Sequence, residues 1–379
     1  MSKVAKAYVG ARIHDGVRFH DDHALVIYTD GSRDLIARSE LSNDNQIKTL
    51  PGGIILPGYV DLQVNGGGGV MFNDDQSVDA LRTIAKAHAS IGTAALLPTL
   101  ITDTPDRTKA AIRAVEQAIA AQVAGIAGIH LEGPHLSIAR KGAHDPGLIR
   151  RMTETDLAIV LDAANRLPNV MMTVAPENTT NSQIRTMTDA GVIVSLGHTD
   201  ADFETCMAAF DAGALCVTHL FNAMSQLGNR EPGLVGATLA RGNIYAGLIA
   251  DAIHVHPTVI RIALAAAENN ERIMLVTDAM ATAGSRIDGF VLNGRHVIRK
   301  DQRLTLQDGT LAGADLEMTR ALSTMVNKAG DGLSCAIRRA TATPLSLLKG
   351  FQHGSPLLDS GLFVNHLPDD LSTFTRLGT

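Results

Sequence analysis

Eight short, almost wholly apolar runs between Tyr59 and Asp278 limit what this sequence can fold into more than any other feature. They are YVDLQVN (59–65), ALLPT (95–99), IAGIHLE (126–132), VMMTVAPE (170–177), VIVSLGH (192–198), LCVTHL (215–220), IYAGLIAD (244–251) and IMLVTD (273–278). A strand with one wet face alternates apolar and polar residues. A near-continuous apolar run implies burial on both faces, and so a parallel sheet. Amphipathic stretches at 104–122, 153–166, 179–190, 200–212 and 257–270 separate several of the runs. Thr153, with Asp156 three residues on, has the form of a capping box opening the second stretch. Eight strands alternating with helices predict an α/β fold, a closed (β/α)8 TIM-like barrel, in which catalytic groups stand at the C-terminal strand ends. An open doubly wound sheet is the alternative, and it calls for a phosphate-binding glycine turn after the first strand. Gly66–Gly69 matches neither GxGxxG nor GxxxxGK(S/T), and reads as a tight, close-packed turn.

The first 55 residues have a different texture. KAYVGARI, HALVIYT and GGIIL read as short strands, with HDG, TDGS and SNDN as turns between them. Residues 285–312 look like a hairpin insertion. Helical material resumes at 315–330 and 333–349, and the tail from His353 returns to short apolar pieces. The expected organisation is a small β-sandwich domain built from residues 1–55 and 351–379, and a catalytic barrel from 56–350.

Composition narrows the partners. Of 379 residues, 45% are hydrophobic and 19% charged, enough for a large core. The formal charge of −6, the 3% aromatic content and the lack of tryptophan argue against a nucleic-acid footprint. An anionic ligand must then be held by local groups. Cys206, Cys216 and Cys335 form no CxxC pair and suit a reducing cytoplasm. No run of ~18 apolar residues is present to span a membrane, and the N-terminus lacks the apolar stretch of a secretory signal.

The chemistry collects at strand ends. Glu132 closes the third run, His198 the fifth, His219 lies near the end of the sixth, and Asp278 closes the eighth. A carboxylate and two imidazoles on separate strands can converge on one divalent ion and leave a position open for water. Asp278 is the natural base beside it. No strand carries the lysine that a Schiff-base aldolase needs, and no GxSxG elbow is present. Metal-assisted hydrolysis is favoured. Glu177 and Asp251 also end strands, without a distinct task.

LPGYVDLQVNGGGG, LPTLIT, HLEGPHLSIARKGAH, VAPE, SLGHTDAD, THLFNAMSQLGNREPGLVGA, IADAIHVH and VTDAMATAG together resemble the N-acetylglucosamine-6-phosphate deacetylases of the amidohydrolase superfamily. The resemblance runs in order from about residue 8 to residue 320. It departs in the tail, where Phe363-Val364 replace the usual small-acidic pattern of the closing motif. The resemblance implies hydrolysis of N-acetyl-D-glucosamine 6-phosphate to D-glucosamine 6-phosphate and acetate, in amino-sugar catabolism. It implies Glu132, His198 and His219 as metal ligands, Asp278 as base and then acid, and His144 beside the metal polarising the acetyl carbonyl. It further implies phosphate recognition by Arg230 and His254 with Asn222 and the amide of Ala223. Arg230 and His254 would reach the phosphate across a homodimer interface. The N-acetylgalactosamine-6-phosphate version is a rival, although Gln63-x-Asn65 leans towards the glucosamine enzymes. A sugar-phosphate-binding homologue without turnover is another, and Asp278 argues against it. Many amidohydrolases hold a second ion with His-x-His at the end of the first strand. Here Gln63 and Asn65 offer only neutral amides, weak ligands for a transition metal. The expectation is one ion per chain, zinc by preference, with ferrous iron accepted by the same ligands.

Overall fold

Parallel pairing passes without a break through all eight apolar runs in the computed structural model, which describes residues 4–42 and 46–378. Residues 43–45 of the SNDN turn, and the first three residues of the N-terminal segment, lie outside the described residues. The strands are β1 (Tyr59–Val64), β2 (Thr93–Ile101), β3 (Ile129–Glu132), β4 (Val170–Val174), β5 (Ile193–Leu196), β6 (Cys216–Val217), β7 (Tyr245–Leu248) and β8 (Ile273–Leu275). They are buried over nearly their whole length, as the apolar runs require. The barrel closes beyond the end of β8. Val64 bridges in parallel to Ala279, the Asp278 amide donates to Gln63 O at 3.1 Å, and the Asn65 amide donates to Ala279 O at 2.8 Å.

The crossover helices are α1 (Val78–Ser90), α2 (Pro105–Ala120), α3 (Glu154–Arg166), α4 (Asn181–Asp189), α5 (Phe203–Asp211), α6 (Gly233–Leu239) and α7 (Pro257–Ala266). Ser77, Thr104, Thr153, Thr180 and Asp202 cap α1 to α5, each accepting from an otherwise orphaned backbone amide of the first turn. Thr153 and Asp156 form the full capping box. Helices α1 and α6 were not among the expected stretches. α6 is a seven-residue GLVGATL helix entered through Gly233 at φ 59°, with too little periodicity to announce itself.

The Gly66–Gly69 turn is close-packed as expected: a Cβ on Gly66 would lie 2.4 Å from Val70 O. The expected hairpin after β8 is instead a four-stranded antiparallel meander of Gly289–Leu292, Arg295–Lys300, Arg303–Thr305 and Leu311–Ala314. Three turns join its four strands, where a hairpin has one. Helices follow at Met318–Thr324, Leu333–Ala340 and Ala342–Leu345.

The two termini come together. Val364–Leu367 pairs antiparallel with Ile54–Pro57 and with Thr375–Leu377, inside a five-stranded sheet that also holds Arg12–His14 and Phe19–His20. A second, four-stranded sheet contains Val4–Val9, His23–Tyr28, Arg33–Ala37 and Ile47–Thr49. Tyr8, Ile13, Leu25, Ile55, Leu357 and Val364 share one core drawn from both sheets.

Candidate active site

Because the barrel strands run one way, their C-terminal ends open on a single mouth. Only Glu132 lies within its strand; β5, β6 and β8 stop short of the residues expected to close them. His198, His219 and Asp278 follow at φ 47°, 32° and 52°. These left-handed conformations are uncommon outside glycine and gather where a functional site overrides backbone preference. Here they turn the chain off the strand direction just where side chains must face the barrel axis.

Glu132 Oε1 lies 3.1 Å from His198 Nε2 and 3.1 Å from His219 Nε2, and the two nitrogens are 3.0 Å apart. Three lone-pair atoms this close repel one another unless a cation or a proton sits among them. Burial pushes the Glu132 carboxyl up, but the two imidazoles outweigh it and hold the group well below its usual value. Burial likewise opposes charge on His219, and Glu132 raises it nonetheless. His198 Nδ1 donates to Arg140 O at 2.8 Å, which leaves the Nε2 lone pair facing its partners. One carboxylate and two imidazole nitrogens fit a single divalent transition metal.

Asp278 faces this triangle from the segment that follows the last strand. Its Oδ1 accepts from Asn65 Nδ2 at 2.7 Å and from Gln63 Nε2 at 3.1 Å. Gln63 Nε2 also lies 3.3 and 3.4 Å from the Glu132 oxygens. Both amides therefore present N–H donors to carboxylates. Burial, then the charge of Glu132, push the Asp278 carboxyl up to about 6. Below the triangle, His130 Nε2 meets Thr173 Oγ1 at 2.7 Å, and Thr173, Thr218 and Ser195 continue the chain at 2.6 and 2.7 Å.

A cavity of about 390 Å³ opens over the site. It gathers Glu132, His198, His219 and Asp278 with His144, Asn222, Ala223 and His254, all from one chain. His254 lines the pocket of its own chain. Arg230 is exposed and is not part of this lining. His144 Nδ1 sits 2.8 Å from Thr102 Oγ1 and 3.4 Å from the Thr102 amide. Burial, then the neighbouring His198, push its imidazole down to about 3.

Several contributors had not been assigned from the sequence. Asp251 Oδ2 takes His254 Nδ1 at 2.6 Å, and its Oδ1 accepts the amides of Ile253 and His254 at 2.8 and 2.7 Å. Glu177 stays structural, accepting from Thr199 Oγ1 and the Asp200 amide. The meander brings Leu292, Thr310, Leu311 and Gly313 over the cavity, and Arg295 donates to Ala143 O beside His144. Turn dipeptides announced its strands, but nothing local showed where they dock.

The amidohydrolase family model matches residues 54–349. The N-acetylgalactosamine-6-phosphate deacetylase of Shewanella sp. (strain ANA-3) is 43% identical over 83% of this chain and 79% of its own. The N-acetylglucosamine-6-phosphate deacetylase of Haemophilus influenzae is 33% identical, covering 85% and 84%. The crystal structure of N-acetylglucosamine-6-phosphate deacetylase from Pasteurella multocida superposes with a TM-score of 0.89 at 31% identity, covering 98% of both chains. With the family model matching most of its length and relatives above 30% identity covering most of both chains, the chain belongs to the amidohydrolase family.

Proposed function

We propose that this chain is a metal-dependent deacetylase that hydrolyses N-acetyl-D-glucosamine 6-phosphate to D-glucosamine 6-phosphate and acetate. The observation that carries the reading is the Glu132, His198 and His219 triangle with Asp278 in the same cavity. A divalent ion bound by the triangle supplies Lewis acidity towards the acetyl carbonyl and the attacking water. Asp278 accepts a proton from that water as its oxygen adds to the carbonyl carbon. It returns the proton to the sugar nitrogen as the C–N bond breaks, leaving a free amine and acetate. His144, neutral because its imidazole is pushed so far down, donates from Nε2 to the carbonyl oxygen. Asn222, the Ala223 amide and His254, held by Asp251, orient the sugar phosphate. Arg230 completes the phosphate site by reaching into a second copy's pocket, which makes the working unit a homodimer.

The reading has one ion per chain, since Gln63 and Asn65 offer amide donors where a second ion would need ligands; zinc is preferred, and ferrous iron accepts the same ligands. The domain division at residues 55 and 350 is part of the same reading, with Ile54–Pro57 as the strand that crosses it. Among the described residues no helix is long and apolar enough to cross a membrane. We place the enzyme in the cytoplasm, with its three cysteines free.

A second reading is favoured by the 43% relative, whose name specifies the galactosamine epimer. Acetate release from both epimeric sugar phosphates, with metal analysis after gel filtration, tests the set. The expected result is faster release from the glucosamine substrate and close to one metal per chain. Faster release from the other epimer selects the second reading, and release from neither leaves a binding protein. Two metals per chain, with activity tracking the second, overturns the single-ion mechanism.

A further inference from the structure

A second cavity, of about 250 Å³, opens between the barrel and the small β domain. Thr93, which begins β2, lies on its wall, so it sits at the end of the barrel opposite the catalytic mouth. Its other walls include Ala89 of α1, Arg33, the turn at Ser360 with Phe363, and Arg376.

The two arginines are unusually placed. Arg33 Nη1 is anchored on the carbonyls of Leu357 and Asp359 at 3.1 and 2.9 Å. Its Nε, by contrast, is buried with no hydrogen-bond partner. A buried donor on a cation is costly without an acceptor. The Arg376 guanidinium lies over the Phe363 ring, 4.2 Å from its centroid. Stacking occupies the flat face of the group and leaves its N–H edge free for planar recognition of an oxyanion. No carboxylate pairs with Arg376 among the described residues. The carboxylate of Asp359 is engaged by the amides of Gln352 and Gly361 at 2.7 and 2.8 Å. Phe363-Val364, where the sequence departs from the small-acidic closing pattern, adds no acid. Burial holds the Arg33 guanidinium below its usual range; the charge of Asp359 opposes this, and the smaller effect of Arg376 adds to it. Lys86 joins Arg376 in an adjoining depression. On a chain of net charge −6 this is a local concentration of unpaired cations.

We propose that this cleft binds a small oxyanion of the phosphate class between Arg33 and Arg376. The anion accepts from the N–H edge of Arg376 and offsets the repulsion between the two guanidinium groups. It ties a strand from each terminus of the chain to the base of the barrel. The cavity is too small for a drug-sized ligand, and suits free phosphate or the phosphoryl end of a sugar phosphate.

Arginine Nε–H NMR resolves this site from the catalytic pocket. Signals are assigned with Arg33→Gln and Arg376→Gln, and inorganic phosphate is added at constant ionic strength. The signals of Arg33 and Arg376 are expected to move together and saturably, and loss of either arginine weakens the binding read at the other about tenfold. Glucosamine 6-phosphate forms a second arm, and the tighter of the two ligands names the source. Should Arg33→Gln not fold, Arg376→Gln, at an exposed position, carries the test through the Arg33 signal. The rise in Tm of the wild-type chain with phosphate, absent in Arg376→Gln, is the second measure. Signals that stay still, or that move equally with chloride, overturn the proposal.

Discussion

At the base of the barrel Arg339 is 2% exposed, and its guanidinium is well supplied with acceptors. Nε donates to Asp331 at 2.8 Å, and Nη1 donates to Ile273 O at 2.9 Å and to Asn270 O. Ile273 opens β8, so this buried cation fixes where the last strand begins. Asp278 is half-buried, three residues beyond the other end of the same strand, in a left-handed conformation. Two amides donate to it, yet burial and the charge of Glu132 still push its carboxyl up to about 6. A charge paired as fully as Arg339 serves to hold neighbouring segments in place. A charge compensated only in part can take up and release a proton near neutral pH, which is what a catalytic acid and base must do. The same strand is held by the first kind of charge and armed by the second.

The strongest test of this contrast is Asp278→Asn. With the proton carrier gone, kcat should fall ~10²–10⁴-fold while substrate still binds. Retention of a third of the wild-type turnover would remove Asp278 from the mechanism. The same variant should be more stable than wild type in the metal-free chain. A carboxyl with its folded pKa above the unfolded value gives up stability as pH rises through the folded value. For Asp278 that loss accrues between about pH 4, near the unfolded value, and about 6. Metal-free Asp278→Asn should therefore melt higher than wild type at pH 7, with the gap closing towards pH 4. A gap that does not change with pH breaks the comparison at the mouth.

Arg339→Met tests the base. It strands Asp331 without its partner, and removing one member of a buried pair typically costs ~3–5 kcal/mol. Denaturant unfolding should show that loss, while turnover per folded molecule stays within about twofold. A variant of unchanged stability, or one that folds normally but turns over poorly, would erase the distinction between the two ends.

Arg230→Ala is expected to have a smaller effect that appears only in recognition. Arg230 is exposed, so stability should not change. A charge-assisted hydrogen bond contributes about 1.5–3 kcal/mol, or roughly ten- to a hundredfold in kcat/KM at ~1.4 kcal/mol per decade. The defect should largely vanish on N-acetylglucosamine without its phosphate. An equal fold-loss on both substrates would assign Arg230 to the fold or the dimer.

The barrel was legible because burial on both faces leaves a direct mark in sequence, as β1 to β8 show. The metal triangle was legible because topology alone sends every strand end to one mouth. What could not be read depends on contacts between distant segments. Thr102 and Asp251 matter for the imidazoles they hold, and neither hydroxyl nor carboxylate advertises a partner 42 or three residues away. The meander was recognised as strand and turn, but its cover over the cavity rests on docking, including the contact from Arg295 to Ala143 O. Its strands are short and half exposed, so their pattern carried less than that of the barrel.

Thr102 supplies the smallest effect and the finest test of how the mouth is armed. Its backbone amide can only donate, so His144 Nδ1 must hold the lone pair on that side. The proton is then on Nε2, the nitrogen needed to donate to an acetyl carbonyl. The amide contact, at 3.4 Å, is weak, and the 2.8 Å contact from Oγ1 must do most of the holding. Thr102→Val keeps the shape and removes the hydroxyl. Losing one neutral hydrogen bond, at about 0.5–1.5 kcal/mol, should lower kcat roughly two- to tenfold with little change in KM, because orientation is lost and substrate contacts are not. Thr102→Ser restores the hydroxyl and should recover most of the loss. A serine variant as slow as the valine variant would mean that the methyl packing of Thr102, and not its hold on His144, is what the site requires.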